Sequence, residues 1–91
     1  MPLRVVVLLS GSGTTLQNLI DHIARGALDA RITGVVSSRA GVYGLERARL
    51  AGIPAATVPR KAYPDDAAFN ADLWREIRGM GADLVVLAGF M

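Results

Sequence analysis

The chain of 91 residues has no cysteine, which excludes disulfides, thiolate metal sites and cysteine nucleophiles and suits a reducing compartment. Histidine is nearly absent as well. His22 is the only one, and it falls in a stretch whose neighbours three and four residues away make a mixed, solvated helix face, so it is not expected to be catalytic. The net charge of +2 is spread over scattered residues with no block of one sign, so neither a nucleic-acid-binding stripe nor an acidic tail is indicated. No apolar run approaches the roughly 20 residues that cross a bilayer. The start, MPLRVVVLLS, has one charge and a short apolar run but no small-residue cleavage site, so a signal peptide is not expected. These absences predict a cytoplasmic protein with no nucleic-acid or membrane partner and no metal.

Hydrophobic residues make up 52% of the chain, enough for one small globular unit over residues 1–91 and too little length for a second. Leu3 to Leu9 is apolar apart from Arg4, with three consecutive valines, as in a strand buried on both faces. Leu16, Leu19, Ile20, Ile23 and Ala24 then recur at helical spacing until Gly26. A second strand is expected over 31–36 and a short helix through Leu45, Ala48 and Ala51, closed by Gly52. A third strand over 55–58 lies between Pro54 and Pro59. Asp65 or Asp66 caps a helix whose apolar face is Phe69, Leu73, Ile77 and Met80, and 83–88 is a fourth buried strand. Strands alternating with helices predict a three-layer, Rossmann-like parallel α/β sheet. A chain stopping just after a buried strand, on Phe90 and Met91, reads as truncated after the fourth strand, the amino-terminal part of something longer.

In such sheets the turns after the strand carboxyl ends share one edge, and ligands bind there. The first of these turns, SGSGTT, holds two glycines at a strand-to-helix junction. A dinucleotide fingerprint needs a third glycine, where this chain has Leu16, and an acid ending the second strand, where it has Ser37, Ser38 and Arg39. A P-loop needs a lysine after the glycines, and none is there. What remains is a compact phosphate cradle. Gly13 permits close approach, Thr14 and Thr15 supply hydroxyl and amide donors, and the helix start favours an anion. The plainer alternative is that the glycines only make a tight turn and Thr14 only caps the helix.

SGSGTTLQNLID, SSRAGVYGLERARLAGIP and DLVVLAGFM, in that order and spacing, resemble the amino-terminal half of the phosphoribosylglycinamide formyltransferases. The resemblance covers essentially the whole chain. It implies the formyltransferase fold and transfer of a formyl group from 10-formyltetrahydrofolate, as co-substrate, to the amino group of glycinamide ribonucleotide in purine biosynthesis. It also implies that Gly13, Thr14 and Thr15 hold the substrate's phosphate and that Met91 is a pterin-side contact. Where that family commonly has Ser-Asn this chain has Thr14-Thr15, and where it often has a basic residue assisting folate binding this chain has Asp66, with Arg60 and Lys61 nearby as substitutes. The asparagine, histidine and aspartate that act on the tetrahedral intermediate in that family lie downstream of the LAGFM block, so no catalytic residue is assigned here. Association into a homo-oligomer is compatible with this reading. The competing reading is a non-catalytic Rossmann-type module that binds a nucleotide or phosphate.

Four further expectations concern side chains. Glu46 and Arg47 form a solvated helix pair. Tyr43 packs at a helix start. Trp74 is a partly buried rim residue. Asp65 and Asp66 cap a helix instead of holding a metal.

Overall fold

The structure, a computed structural model, describes residues 2–90. Met91, the expected pterin-side contact, lies outside the described residues. The elements run β1 (Leu3–Leu9), α1 (Thr14–Ala24), β2 (Ala30–Ser37), α2 (Tyr43–Leu50), β3 (Ala55–Thr57), α3 (Asp66–Gly79) and β4 (Leu84–Leu87), with a 3-10 turn at Arg60–Ala62. All strand pairs are parallel, and the order across the sheet is β3-β2-β1-β4. Among the described residues no helix is long and apolar enough to cross a membrane.

Alternation along β1 builds two cores from one strand, because successive side chains point to opposite faces. Val5, Val7 and Leu9 join Val35, Leu16 of α1 and Ala48 of α2 on one face. Val6, Leu8 and Val36 join Phe69, Leu73 and Ile77 of α3 on the other. The sheet is therefore sandwiched between α1 and α2 on one side and α3 on the other. Each fully buried Val or Leu contributes roughly 1.5–3 kcal/mol through removal from water, so β1 and β2, which have strand neighbours on both edges and residues in both cores, are the structural axis.

Two departures from the expected pattern have physical causes. β4 is not buried here as expected: Leu84 is 46% and Leu87 68% exposed, because among the described residues β4 pairs only with β1. Trp74 is 53% exposed, more than a partly buried rim residue would be; it sits beside Leu73, which takes the inward position on α3. Within β2 the register slips, so that Val5 faces Ile32 while Val6 faces Gly34. The extra residue, Thr33, donates its hydroxyl to the Val5 carbonyl at 3.4 Å. Gly34 follows the slip because Met80 Sδ fills its side-chain space, 2.1 Å from where a Cβ would stand.

Connectivity determines where a ligand can enter. From β1 the chain moves outward through β2 and β3, then returns past β1 to its other side as β4. The carboxyl ends of β1 and β4 therefore lie side by side where the strand order reverses, and a crevice opens between them.

Candidate functional site

At that crevice lies a cavity of about 290 Å³, lined by Gly11, Ser12, Gly13, Thr14 and Thr15 on one side and Ala88 and Gly89 on the other. The far wall is fixed by the Ala88 amide, which donates to the Leu8 carbonyl at 2.8 Å and continues the β1–β4 ladder. The structure brings all three residues expected at a phosphate, Gly13, Thr14 and Thr15, to this cavity. Gly11, Ser12, Ala88 and Gly89 complete it without having been assigned from sequence. The signal for them is topological: they follow the two strands on either side of the crossover.

Thr14 does not cap α1. The capping position is Gly13, in the left-handed conformation at φ 77°, ψ 28°, and it makes no side-chain capping bond. Thr14 is the first helical residue, and its hydroxyl lies 3.2 Å from that of Ser12. The first helical bond runs from the Gln17 amide to the Gly13 carbonyl at 2.9 Å. With no side chain capping the helix and no acidic residue in its first turn, the leading amides and the positive end of the helix dipole are available to an anion.

The loop takes its shape from α2. Gly44 donates its amide to the Gly11 carbonyl at 3.0 Å, and Arg47 donates Nε to the Ser12 carbonyl at 2.7 Å. Arg47 Nη1 reaches Gln17 Oε1 at 3.3 Å, and the guanidinium lies 4.7 Å above the Tyr43 ring. The expected Glu46–Arg47 pair is not formed. Glu46 is engaged by Arg49, one turn on, through Nε at 3.0 Å and through Nη2; those hydrogen bonds hold the Glu46 carboxyl below its usual range. Tyr43 is an exposed platform for Arg47 more than a packing residue.

A second cavity, about 500 Å³, opens at the carboxyl ends of β2 and β3, lined by Ser38, Arg39, Ala40, Pro59, Arg60 and Lys61. Its floor is tied to the first site through a 2.5 Å hydrogen bond between the buried Ser10 and Ser38 hydroxyls. Arg60 bonds Asp66 at 2.6 Å and lies 5.6 Å over the Phe69 ring. Among the described residues no carboxylate pairs with Arg39 or Lys61. Asp65 caps α3 by accepting from the Ala68 amide at 2.8 Å. His22 lines neither cavity; its Nδ1 donates to the Asn18 carbonyl at 2.7 Å on an exposed part of α1.

Residues 3–91 match the model of the formyl transferase family. The phosphoribosylglycinamide formyltransferase of Escherichia coli is 40% identical over 89 residues, which is 98% of this chain and 42% of that protein. Among solved structures, glycinamide ribonucleotide transformylase 1 from Symbiobacterium toebii superposes with a TM-score of 0.93 at 47% identity, over 99% of this chain and 42% of that one. The phosphoribosylglycinamide formyltransferase of Coxiella burnetii, solved in complex with CHES, superposes with a TM-score of 0.95 at 44% identity, over 100% of this chain and 43% of that one. The chain thus spans less than half the length of each of these three relatives. By a family match that runs through all four strands and both cavity walls, the chain belongs to the formyl transferase family.

Proposed function

We propose that this chain forms the phosphate-holding part of an enzyme that passes a formyl group from 10-formyltetrahydrofolate to the amino group of glycinamide ribonucleotide in purine biosynthesis, in the cytoplasm. The observation that carries this reading is the uncapped start of α1 opening on a cavity at the β1–β4 crossover, in a chain 40% identical to a phosphoribosylglycinamide formyltransferase. Gly13, Thr14 and Thr15 hold the phosphate, chiefly through backbone amides, with the threonine hydroxyls as further donors. The folate supplies the formyl carbon that the amine attacks. Stabilising the oxyanion of the resulting tetrahedral intermediate and removing the amine proton need an electrophilic donor and a base. The cavity is lined by glycine, alanine, serine and threonine, so its contribution is placement of the substrate.

The second cavity suits the anionic end of the folate. Arg60 is committed to Asp66, which leaves Lys61 and Arg39 as the cations to meet carboxylates. A dinucleotide module is disfavoured at the same place: Ser37 ends β2, and Ser38 and Arg39 follow it, where a ribose-binding carboxylate would be needed. Calorimetric titration of the chain with glycinamide ribonucleotide, inorganic phosphate and NAD separates the two readings. Binding of the ribonucleotide and of phosphate in competition with each other is expected, and preference for NAD would overturn the proposal.

A further inference from the structure

An anion site built from a loop has an intrinsic problem. Every residue of the loop carries a carbonyl oxygen as well as an amide, and carbonyls facing the cavity would repel the ligand that the amides attract. In the SGSG loop the two carbonyls ahead of the helix, those of Gly11 and Ser12, are both captured from outside. The Gly44 amide takes the first at 3.0 Å, and Arg47 Nε takes the second at 2.7 Å. The third carbonyl, of Gly13, is used inside α1 by the Gln17 amide. We propose that Arg47 is a positioning residue for the anion site: it holds the Ser12 carbonyl away from the cavity and so fixes the Gly13 and Thr14 amides toward the ligand.

This inference rests on the anion-binding reading above, and three observations support it beyond the single hydrogen bond. Arg47 is anchored at more than one point, to Ser12 and Gln17 and against the Tyr43 ring, which is a fork-and-plane arrangement only arginine makes. Its neighbour Glu46 is occupied by Arg49, so no carboxylate on α2 competes for it. The backbones also approach so closely that a Cβ on Gly13 would stand 2.6 Å from Gly44 Cα, and one on Gly44 would stand 2.9 Å from the Gly11 carbonyl oxygen. Helix α2 is therefore seated against the loop, and a guanidinium one turn along it reaches the next carbonyl. Arg47 is absent from the cavity lining; it acts through the loop, not on the ligand.

The test compares Arg47→Ala and Arg47→Lys with the unaltered chain, using hydrogen exchange at the Gly44 and Gln17 amides, which are bonded to loop carbonyls, and titration with inorganic phosphate. Arg47→Ala should speed exchange at the Gly44 and Gln17 amides, which donate to the Gly11 and Gly13 carbonyls of the loop, by about tenfold or more, the loss expected for one charge-assisted hydrogen bond, while exchange in β1 stays unchanged. Phosphate affinity should fall about tenfold. Arg47→Lys keeps the charge but loses the second and third anchors, so it should recover less than half of the loss on a logarithmic scale. Unchanged exchange at both Gly44 and Gln17 in Arg47→Ala would overturn the inference. Full recovery by lysine would overturn it too, by showing that charge alone matters. Were the unaltered chain to bind no phosphate, the anion-site reading would fail while the exchange data still decided whether Arg47 orders the loop. Should Arg47→Ala not fold, Arg47→Lys alone carries the comparison, since equality with the unaltered chain in exchange and affinity contradicts the role proposed.

Discussion

A methyl group on Gly13 would meet Gly44 Cα at 2.6 Å, in a residue already held at φ 77°, whereas Gly11 has open space where its Cβ would stand. The two glycines of the motif therefore do different work. Gly13→Ala should cost about 1–3 kcal/mol of stability, from the left-handed backbone and the displaced helix contact together. Gly11→Ala should stay within about 0.5 kcal/mol yet weaken phosphate binding, because the methyl enters a glycine-lined cavity wall. Urea denaturation and phosphate titration of both variants check this, and equal stabilities would contradict it. From sequence, Gly13 reads as a point of close ligand approach, but the first thing that approaches it is another glycine. No local pattern announces a partner 31 residues away. The same holds at Asp66: its departure from the family's basic residue was legible, but the partner it selects, Arg60 at 2.6 Å, depends on how the 3-10 turn folds back. Lys61→Ala should weaken 10-formyltetrahydrofolate binding about two- to fivefold at low salt and less at high salt, and unchanged low-salt affinity would remove Lys61 from the site.

Elements were more legible than residues, because periodicity is a property of many side chains at once. The valine run of β1, the Phe69–Leu73–Ile77 spacing of α3 and the Asp65 cap all appear as expected. The exposure of β4 was not legible, since apolar runs look alike whether one or two strands pair with them. Nor was the slip at Thr33, which answers to Met80 filling the space beside Gly34 from a different element. What joins β4 to β1 at the other end is also a pairing across the chain. Asp83 accepts from Arg4 Nε at 3.1 Å and Nη2 at 2.9 Å, and from the Arg4 amide at 3.0 Å. The hydrogen bonds from Arg4 hold the Asp83 carboxyl below its usual range. A carboxyl whose folded value lies below its unfolded one stabilises fully above the unfolded value, near pH ~4, and loses that contribution as pH falls through the lower folded value. Asp83→Asn should therefore flatten the decline of stability below about pH 4, measured by urea denaturation at stepped pH. A decline as steep as that of the unaltered chain would show that the pair contributes nothing.

For the whole molecule, the parallel sheet places two sites of different character on one edge: an amide-lined cavity between β1 and β4, and a cation-lined cavity beyond β2 and β3. No group lining the first cavity can accept a proton from an amine at neutral pH, so the chain of 91 residues by itself should bind glycinamide ribonucleotide without formylating it. Direct assay with glycinamide ribonucleotide and 10-formyltetrahydrofolate checks this: turnover abolished by Gly13→Val would contradict it, whereas turnover that survives Gly13→Val comes from a contaminating enzyme. The central claim is that the uncapped start of α1 at the strand crossover is the phosphate site. Amide chemical-shift mapping of the isotopically labelled chain during titration with glycinamide ribonucleotide tests it most directly. Saturable shifts at Gly11, Gly13, Thr14, Thr15 and Gly89, displaced by inorganic phosphate, are the result predicted. Shifts confined to Arg39, Arg60 and Lys61, with the SGSG loop unmoved, would contradict it.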